Sequence, residues 1–140
     1  MPLPFQKVDR NLNEEELLAL NTYNDGYANT IGVVITACSP AGVTAHIDVG
    51  SEHLQPAGIV NGGVYAGLAE TVGSVAAMAV AGKPAVGINN NTDFLRSVRE
   101  GRIEATAHPI HVGQRTHLWR IEMHHEEKLV AVTNLKLLVP

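Results

Sequence analysis

In the run VNGGVYAGLAETVGSVAAMAVAG, Val60 to Gly82, Glu70 is the sole charged side chain among small, apolar and glycine residues. An acid in such a setting must be paired, neutralised or put to use. Ser74 follows four residues later and shares its face if the run is helical, within reach of the carboxylate or of a water beside it. Asn61-Gly62-Gly63 opens the run. At a helix start these residues offer free backbone N–H groups and a partial positive charge, suited to an anion or a developing oxyanion. Gln55, in the preceding loop, brings an amide that can donate to a carbonyl or hold a water. The chemistry in view is attack on a carbonyl, with Glu70 as nucleophile or general base and the Gly62 N–H as oxyanion donor. Spacing then sets a constraint. Gly62 and Glu70 are eight residues apart, about 12 Å along a helix, while a carbonyl under attack needs both groups within about 3 Å. One rigid helix cannot supply both, but two antiparallel copies related by a twofold axis can. The rival reading of Glu70 is a buried acid held by an arginine or a backbone donor.

The elements that must position these residues follow from patterning. Asn13 before Glu14-Glu15-Glu16 is a helix start with capping-box spacing, and the helix stops near Asn24-Asp25-Gly26. Ile31, Val33 and Ile35 alternate as in a strand. SPAG, Ser39 to Gly42, is turn chemistry, and Val43, Ala45, Ile47 and Val49 alternate against Thr44, His46 and Asp48, which completes a hairpin. The stretch 61–81 is apolar on every side, the mark of a buried helix. Period two returns in four strands near Val86–Phe94, Arg102–His111, Arg115–His124 and Lys128–Leu138. Their turns are Glu100-Gly101, Val112-Gly113-Gln114 and Glu126-Glu127, and Trp119, Ile121 and Met123 share one face. The order predicts an α+β fold in which a curved antiparallel sheet wraps one long central helix. It predicts a single domain over 1–140, with an N-terminal helical segment over 1–28.

The 140 residues are 45% hydrophobic and 17% charged, with a formal charge of −4. This fits a packed globular chain and lacks the basic clustering of a nucleic-acid partner. The lone Cys38 has no internal disulfide partner, and the first sixteen residues lack an apolar signal-peptide core, so a cytoplasmic location is expected. Ala57 to Ala81 is long enough to span a membrane. A lone Glu at mid-span and the half-buried strands elsewhere favour a core helix and no membrane partner. The seven histidines show no HExxH or CxxC pattern. His108 and His111, three apart on a strand, should face opposite sides, so no metal site is expected. Cys38 reads as a structural thiol.

The run HLQPAGIVNGGVYAGLAETVGSVAA resembles the hotdog-fold acyl-CoA thioesterases of the glutamate type. These include the 4-hydroxybenzoyl-CoA and 1,4-dihydroxy-2-naphthoyl-CoA thioesterases, the enterobactin-pathway proofreading enzyme and the phenylacetate-pathway thioesterases. GINNNTDFLRSVREGRIEATAHPIHVGQRTHLWRIE is similar to the same family, and the likeness runs from about Thr30 to the C-terminus. The resemblance implies the hotdog fold and hydrolysis of an acyl- or aroyl-CoA to free acid and coenzyme A, with no metal or redox cofactor. It implies Glu70 as nucleophile or base, the Gly62 N–H as oxyanion donor, Gln55 orienting substrate or water, and Ser74 assisting. It also implies homodimers with shared sites, often assembled as tetramers. Gly63, Arg96, Arg99, Gln114 and Arg115 are then expected to contact substrate, the arginines because guanidinium suits phosphate. One departure stands at Asn61, where the family motif has His. Asn caps a helix and donates a hydrogen bond but carries no proton near neutral pH. Two other functions remain open, a non-catalytic thioester-binding module and a 3-hydroxyacyl-thioester dehydratase. The latter chemistry usually relies on the missing His.

Overall fold

A computed structural model describes residues 6–140. The first five residues, part of the stretch read as lacking a signal-peptide core, lie outside that range. Helix α1, Glu14–Tyr23, starts where the acidic run predicts. The Asn13 side chain accepts from the Glu16 N–H at 2.9 Å, and Glu16 Oε1 accepts from the Asn13 N–H at 3.0 Å, so both free donors are satisfied reciprocally. Arg10 adds an ion pair to Glu16 at 2.7 Å, and together with the Asn13 N–H it lowers the Glu16 carboxyl to a pKa of about 2.

A short helix α2, Tyr27–Ile31, follows and closes on Gly32 in the left-handed region. The alternation of Ile31, Val33 and Ile35 therefore marks burial but not one strand. All three side chains are buried, yet Ile31 ends α2 and β1 covers only Val34–Ser39. β1 pairs with β2, Gly42–Val49, as the predicted hairpin. A single 3₁₀ turn, Ser51–His53, precedes the long helix α3, Gly62–Ala81. The remaining strands are β3, Val86–Phe94; β4, Gly101–Val112; β5, Thr116–His125; and β6, Lys128–Leu138.

All six strands form one antiparallel sheet in the order β1-β2-β4-β5-β6-β3. β4 pairs with β2, and β3 crosses to the far edge beside β6. The sheet wraps α3, as the apolar helix requires. Trp119, Ile121 and Met123 face it with no solvent exposure, as do Ile103, Leu135 and Leu137. Small residues let the sheet come close: a Cβ on Gly73 would stand 2.5 Å from Leu135 Cδ2.

Among the register shifts of the sheet, those in β3 and β4 change which face a residue near the site or a histidine takes. On β3 the register slips between Gly87 and Asn89. Gly87 therefore shares the inner face with Asn90 and Phe94, despite the odd spacing. On β4 it slips between Pro109 and His111, so His108 opposite Arg120 and His111 opposite Leu118 share one side of the sheet. The opposite-face expectation for these histidines fails for that reason. Among the described residues no three His, Cys, Asp or Glu side chains stand close enough to hold a metal ion.

Helix α3 is long and apolar enough, by length and composition, to cross a membrane, and 56% of its most apolar window is buried inside the protein. It is not buried on every side. Val64, Leu68, Val72 and Ala76 meet the core, while Ala66, Gly67, Glu70, Thr71 and Ser74 form an open face.

Candidate active site

The open face of α3 ends in two separate clefts. The larger, about 610 Å³, holds Glu70 and Ser74 together with Asn90 of β3 and Tyr27 of α2. Glu70 is exposed there, which corrects the expectation of a buried acid. Among the described residues it has no ion pair and no hydrogen bond, so an arginine does not hold it. Its carboxylate rests on β3, where a Cβ at Gly87 would lie 3.2 Å from Oε2. Ser74 stands one turn further along the same cleft without hydrogen-bonding Glu70. Asn90 Nδ2 donates to the Ala66 carbonyl at 3.0 Å and its Oδ1 accepts from Thr92, whose hydroxyl also meets Thr133 at 2.6 Å. That chain fastens the edge strand to the helix just below the acid.

The smaller cleft, about 270 Å³, lies at the start of α3 and brings together Gln55, Gly62, Tyr65, Phe94 and Arg96. Asn61 is the N-cap, and its Oδ1 accepts from the Gly63 N–H at 2.7 Å. The Gly63 donor is thus occupied by the cap. The Gly62 N–H has no partner among the described residues, and it sits at the positive end of a 20-residue helix, the arrangement that stabilises negative charge. Phe94 lies over it: a Cβ at Gly62 would stand 2.5 Å from the ring's Cζ. Gln55 Oε1 accepts from the Ala57 N–H at 2.7 Å, which leaves its Nε2 donors available. Behind Phe94, at 5.9 Å between ring centroids, Tyr65 is buried, and burial raises its phenol pKa. The loop before the helix is fixed by Val60 N–H to the Val98 carbonyl, 2.8 Å, and Asn61 N–H to the His53 carbonyl, 2.9 Å. His53 is itself buried, between the Gly50 N–H and the Ile31 carbonyl.

The residues expected to contact substrate divide. Arg96 lines the Gly62 cleft and continues into a trough with Lys128 and His125. Neither Arg96 nor Lys128 has a side-chain partner among the described residues. Arg99 instead donates to the Ala57 and Gly58 carbonyls at 3.3 and 3.4 Å, holding the loop. Gln114 and Arg115 are exposed at the β4–β5 turn and line neither cleft of their own chain. Cys38 is buried and burial raises its thiol pKa to about 11, as befits a structural residue. Sequence reasoning passed over Phe94, Asn90, Tyr27 and Lys128. Three consecutive asparagines within a strand, a residue type depleted there, were the available signal for Asn90.

The model of the thioesterase superfamily matches residues 57–132, from the loop before α3 into β6, with both Gly62 and Glu70 inside. The chain belongs to the thioesterase superfamily. This thioesterase is 35% identical over 116 residues to the 1,4-dihydroxy-2-naphthoyl-CoA hydrolase of Escherichia coli, which covers 79% of this chain and 84% of that protein. It superposes on a thioesterase of Haemophilus influenzae with a TM-score of 0.83 and 34% identity, over 95% of this chain and 94% of that one. A phenylacetic acid degradation protein of Thermus thermophilus gives 0.78 and 26% identity, over 83% and 100%. The fold is the hotdog fold, and the activity of the superfamily member is thioester hydrolysis.

Proposed function

We propose that this thioesterase hydrolyses an acyl- or aroyl-CoA, with Glu70 of one chain and the Gly62 N–H of a second copy meeting at one carbonyl. The carrying observation is the separation of two unpartnered groups. The free acid and the free amide lie on one helix but open into different clefts. The edge strand explains how a second copy joins them. β3 has an unpaired outer edge and exposes Val86, Ile88 and Phe94, a template for another strand. Gly87 lies beneath Glu70 and Phe94 lies over Gly62. Antiparallel pairing of two β3 strands, centred on Asn91, sets Asn90 beside Thr92, and the bulge at Ile88 then brings Gly87 beside Phe94 of the second copy. Each Glu70 then faces the other copy's Gly62, and the dimer holds two sites.

At such a site the Gly62 N–H and the helix dipole stabilise the oxyanion as the thioester carbonyl becomes tetrahedral. Gln55 Nε2 donates to the carbonyl or holds the water. Glu70 attacks the carbonyl carbon directly, giving a mixed anhydride that water then cleaves to the free acid and the carboxylate, or it takes the proton from the attacking water. Either way the C–S bond breaks and coenzyme A leaves as the thiolate. Asn61 serves as the cap, so no proton passes through that position. The reaction calls for no metal or redox cofactor. Arg96 and Lys128 offer unpaired cations to the phosphates of the coenzyme, running outward from Gly62.

Thiol release from benzoyl-, hexanoyl- and decanoyl-CoA tests the reading. Wild type releases thiol, and Glu70→Gln lowers kcat by about 10²–10⁴-fold while KM holds within a few-fold. Turnover equal to wild type in Glu70→Gln removes the acid from the reaction. No release from any ester, with the esters still bound, favours the binding-module function.

A further inference from the structure

The Glu70 cleft has two walls. One is the open face of α3. The other is the segment from α1 into α2, which contributes Asn24, Asp25 and Tyr27. Tyr27 is 59% exposed. Its ring is seated on Gly67, where a Cβ would stand 2.5 Å from Cε2 and 3.0 Å from the hydroxyl oxygen. Gly67 and Glu70 are three apart on one helix, so the ring stands one turn from the acid on the same face. An aromatic side chain whose seat needs a missing Cβ, and which leaves most of its surface uncovered beside an unpartnered acid, is a surface shaped for a ligand. The rest of that wall is polar. Asn24 Nδ2 is buried with no hydrogen-bond partner, and a buried amide donor in that condition requires an acceptor. Thr71, Ser74 and Asn90 complete the lining. A long alkyl chain laid along this cleft would strip water from the exposed Asp25 and Glu70 and return no hydrogen bonds. A planar ring with a polar substituent meets both features.

We infer that Tyr27, seated by Gly67, is the specificity-determining wall of the acyl cleft and selects aroyl over long-chain alkyl thioesters. The inference rests on the Glu70 cleft holding the acyl group, as proposed above. Stacking on an aromatic face is worth about a two- to tenfold preference.

The test is kcat/KM for benzoyl-CoA and decanoyl-CoA with wild type, Tyr27→Phe, Tyr27→Leu and Gly67→Ala. Wild type favours benzoyl-CoA. Tyr27→Leu lowers the benzoyl-to-decanoyl ratio about two- to tenfold, chiefly through KM. Gly67→Ala, which displaces the ring from the other side, lowers it in the same direction, and Tyr27→Phe retains it. An unchanged ratio in both Tyr27→Leu and Gly67→Ala overturns the inference, as does a wild-type preference for decanoyl-CoA; both leave thioester hydrolysis standing. Wild type inactive on both esters overturns the underlying reading as well.

Discussion

The Glu70 carboxylate lies against the backbone of Gly87, so close that a Cβ added there would stand 3.2 Å from Oε2 and 3.3 Å from Cδ. The bulge beside Gly87 turns that residue inward, and the absence of a side chain leaves the space the acid occupies. Gly87→Ala therefore moves the carboxylate by a few tenths of an ångström without disturbing the core. Because reacting groups a full ångström out of place cost about a hundredfold, kcat should fall several-fold, with KM and Tm near wild type. Steady-state kinetics with a thermal melt check this. An unchanged kcat would show that the acid has no fixed seat.

Phe94 covers the Gly62 amide, and an added Cβ at position 62 would meet the tip of the ring at 2.5 Å. The ring is 57% exposed, so it can swing away and Gly62→Ala should fold. The displaced ring then crowds the space where the carbonyl oxygen must sit. The expected result is a tenfold or greater loss of kcat/KM in Gly62→Ala, and a smaller loss from the same substitution in a Phe94→Ala background. Contacting residues give such non-additive cycles. Equal losses in the two backgrounds would separate Phe94 from the amide.

Much of this arrangement was legible in the sequence. The lone Glu in an apolar helix, the Asn-Gly-Gly start and the twelve-ångström gap between them follow from spacing alone. The capping box at Asn13 and the β3 and β6 boundaries follow from local patterning. Misreadings came where tertiary packing decides. Ile31 is buried from a helix and from no strand, because alternation reports burial before it reports backbone. Glu70 is exposed in the single chain because the open face of α3 carries Ala, Gly, Thr and Ser, which hydropathy does not separate from core residues. The bulges of β3 and β4 could not be read at all, since period two counts residues and a bulge adds one. Tyr27, Phe94 and Lys128 reach the site through tertiary proximity alone.

Arg96 and Lys128 line one trough without acidic or backbone partners of their own, whereas Arg99 is engaged by the Ala57 and Gly58 carbonyls. Charge removal at the first two should weaken binding of a phosphate-bearing thioester, and removal at the third should loosen the loop. Arg96→Gln and Lys128→Gln are expected to raise KM several-fold at low salt, an effect that shrinks as ionic strength rises. Arg99→Gln should lower Tm with little salt dependence in KM. Measurements of KM between 20 and roughly 300 mM salt distinguish the two, a span over which the Debye length falls from about 20 Å to about 6 Å.

His117 is buried at 2% exposure, and its Nδ1 accepts from Trp119 Nε1 at 3.2 Å. Burial first, then the nearby His111, lowers its pKa below the ordinary 6.5. The unfolded chain thus takes up this proton at higher pH than the folded one. Its contribution is fully present above 6.5 and is lost as the pH falls through the folded pKa. Wild type should accordingly lose Tm between pH 7 and 5 by more than His117→Phe does, with Trp119 emission changing over the same range. Parallel Tm profiles for the two proteins would assign the acid sensitivity elsewhere.

The dimer proposed through β3 makes the strongest demand, since it places half of each site on each chain. Glu70→Ala alone empties the acid from both sites, and Gly62→Pro alone removes the amide donor from both. In a mixed dimer carrying one substitution per chain, both defects fall into the same site and the other is wild type in all its parts. Separately purified variants should each be nearly inactive. Co-refolded at equal amounts they should recover about a quarter of wild-type activity, because half the dimers are mixed and each has one sound site. Recovery that disappears when β3 pairing is blocked by Ile88→Lys, a charge placed on the exposed edge strand, ties the shared site to that strand. Absence of recovery, with mixed dimers shown by native mass, would mean that each chain completes its own site.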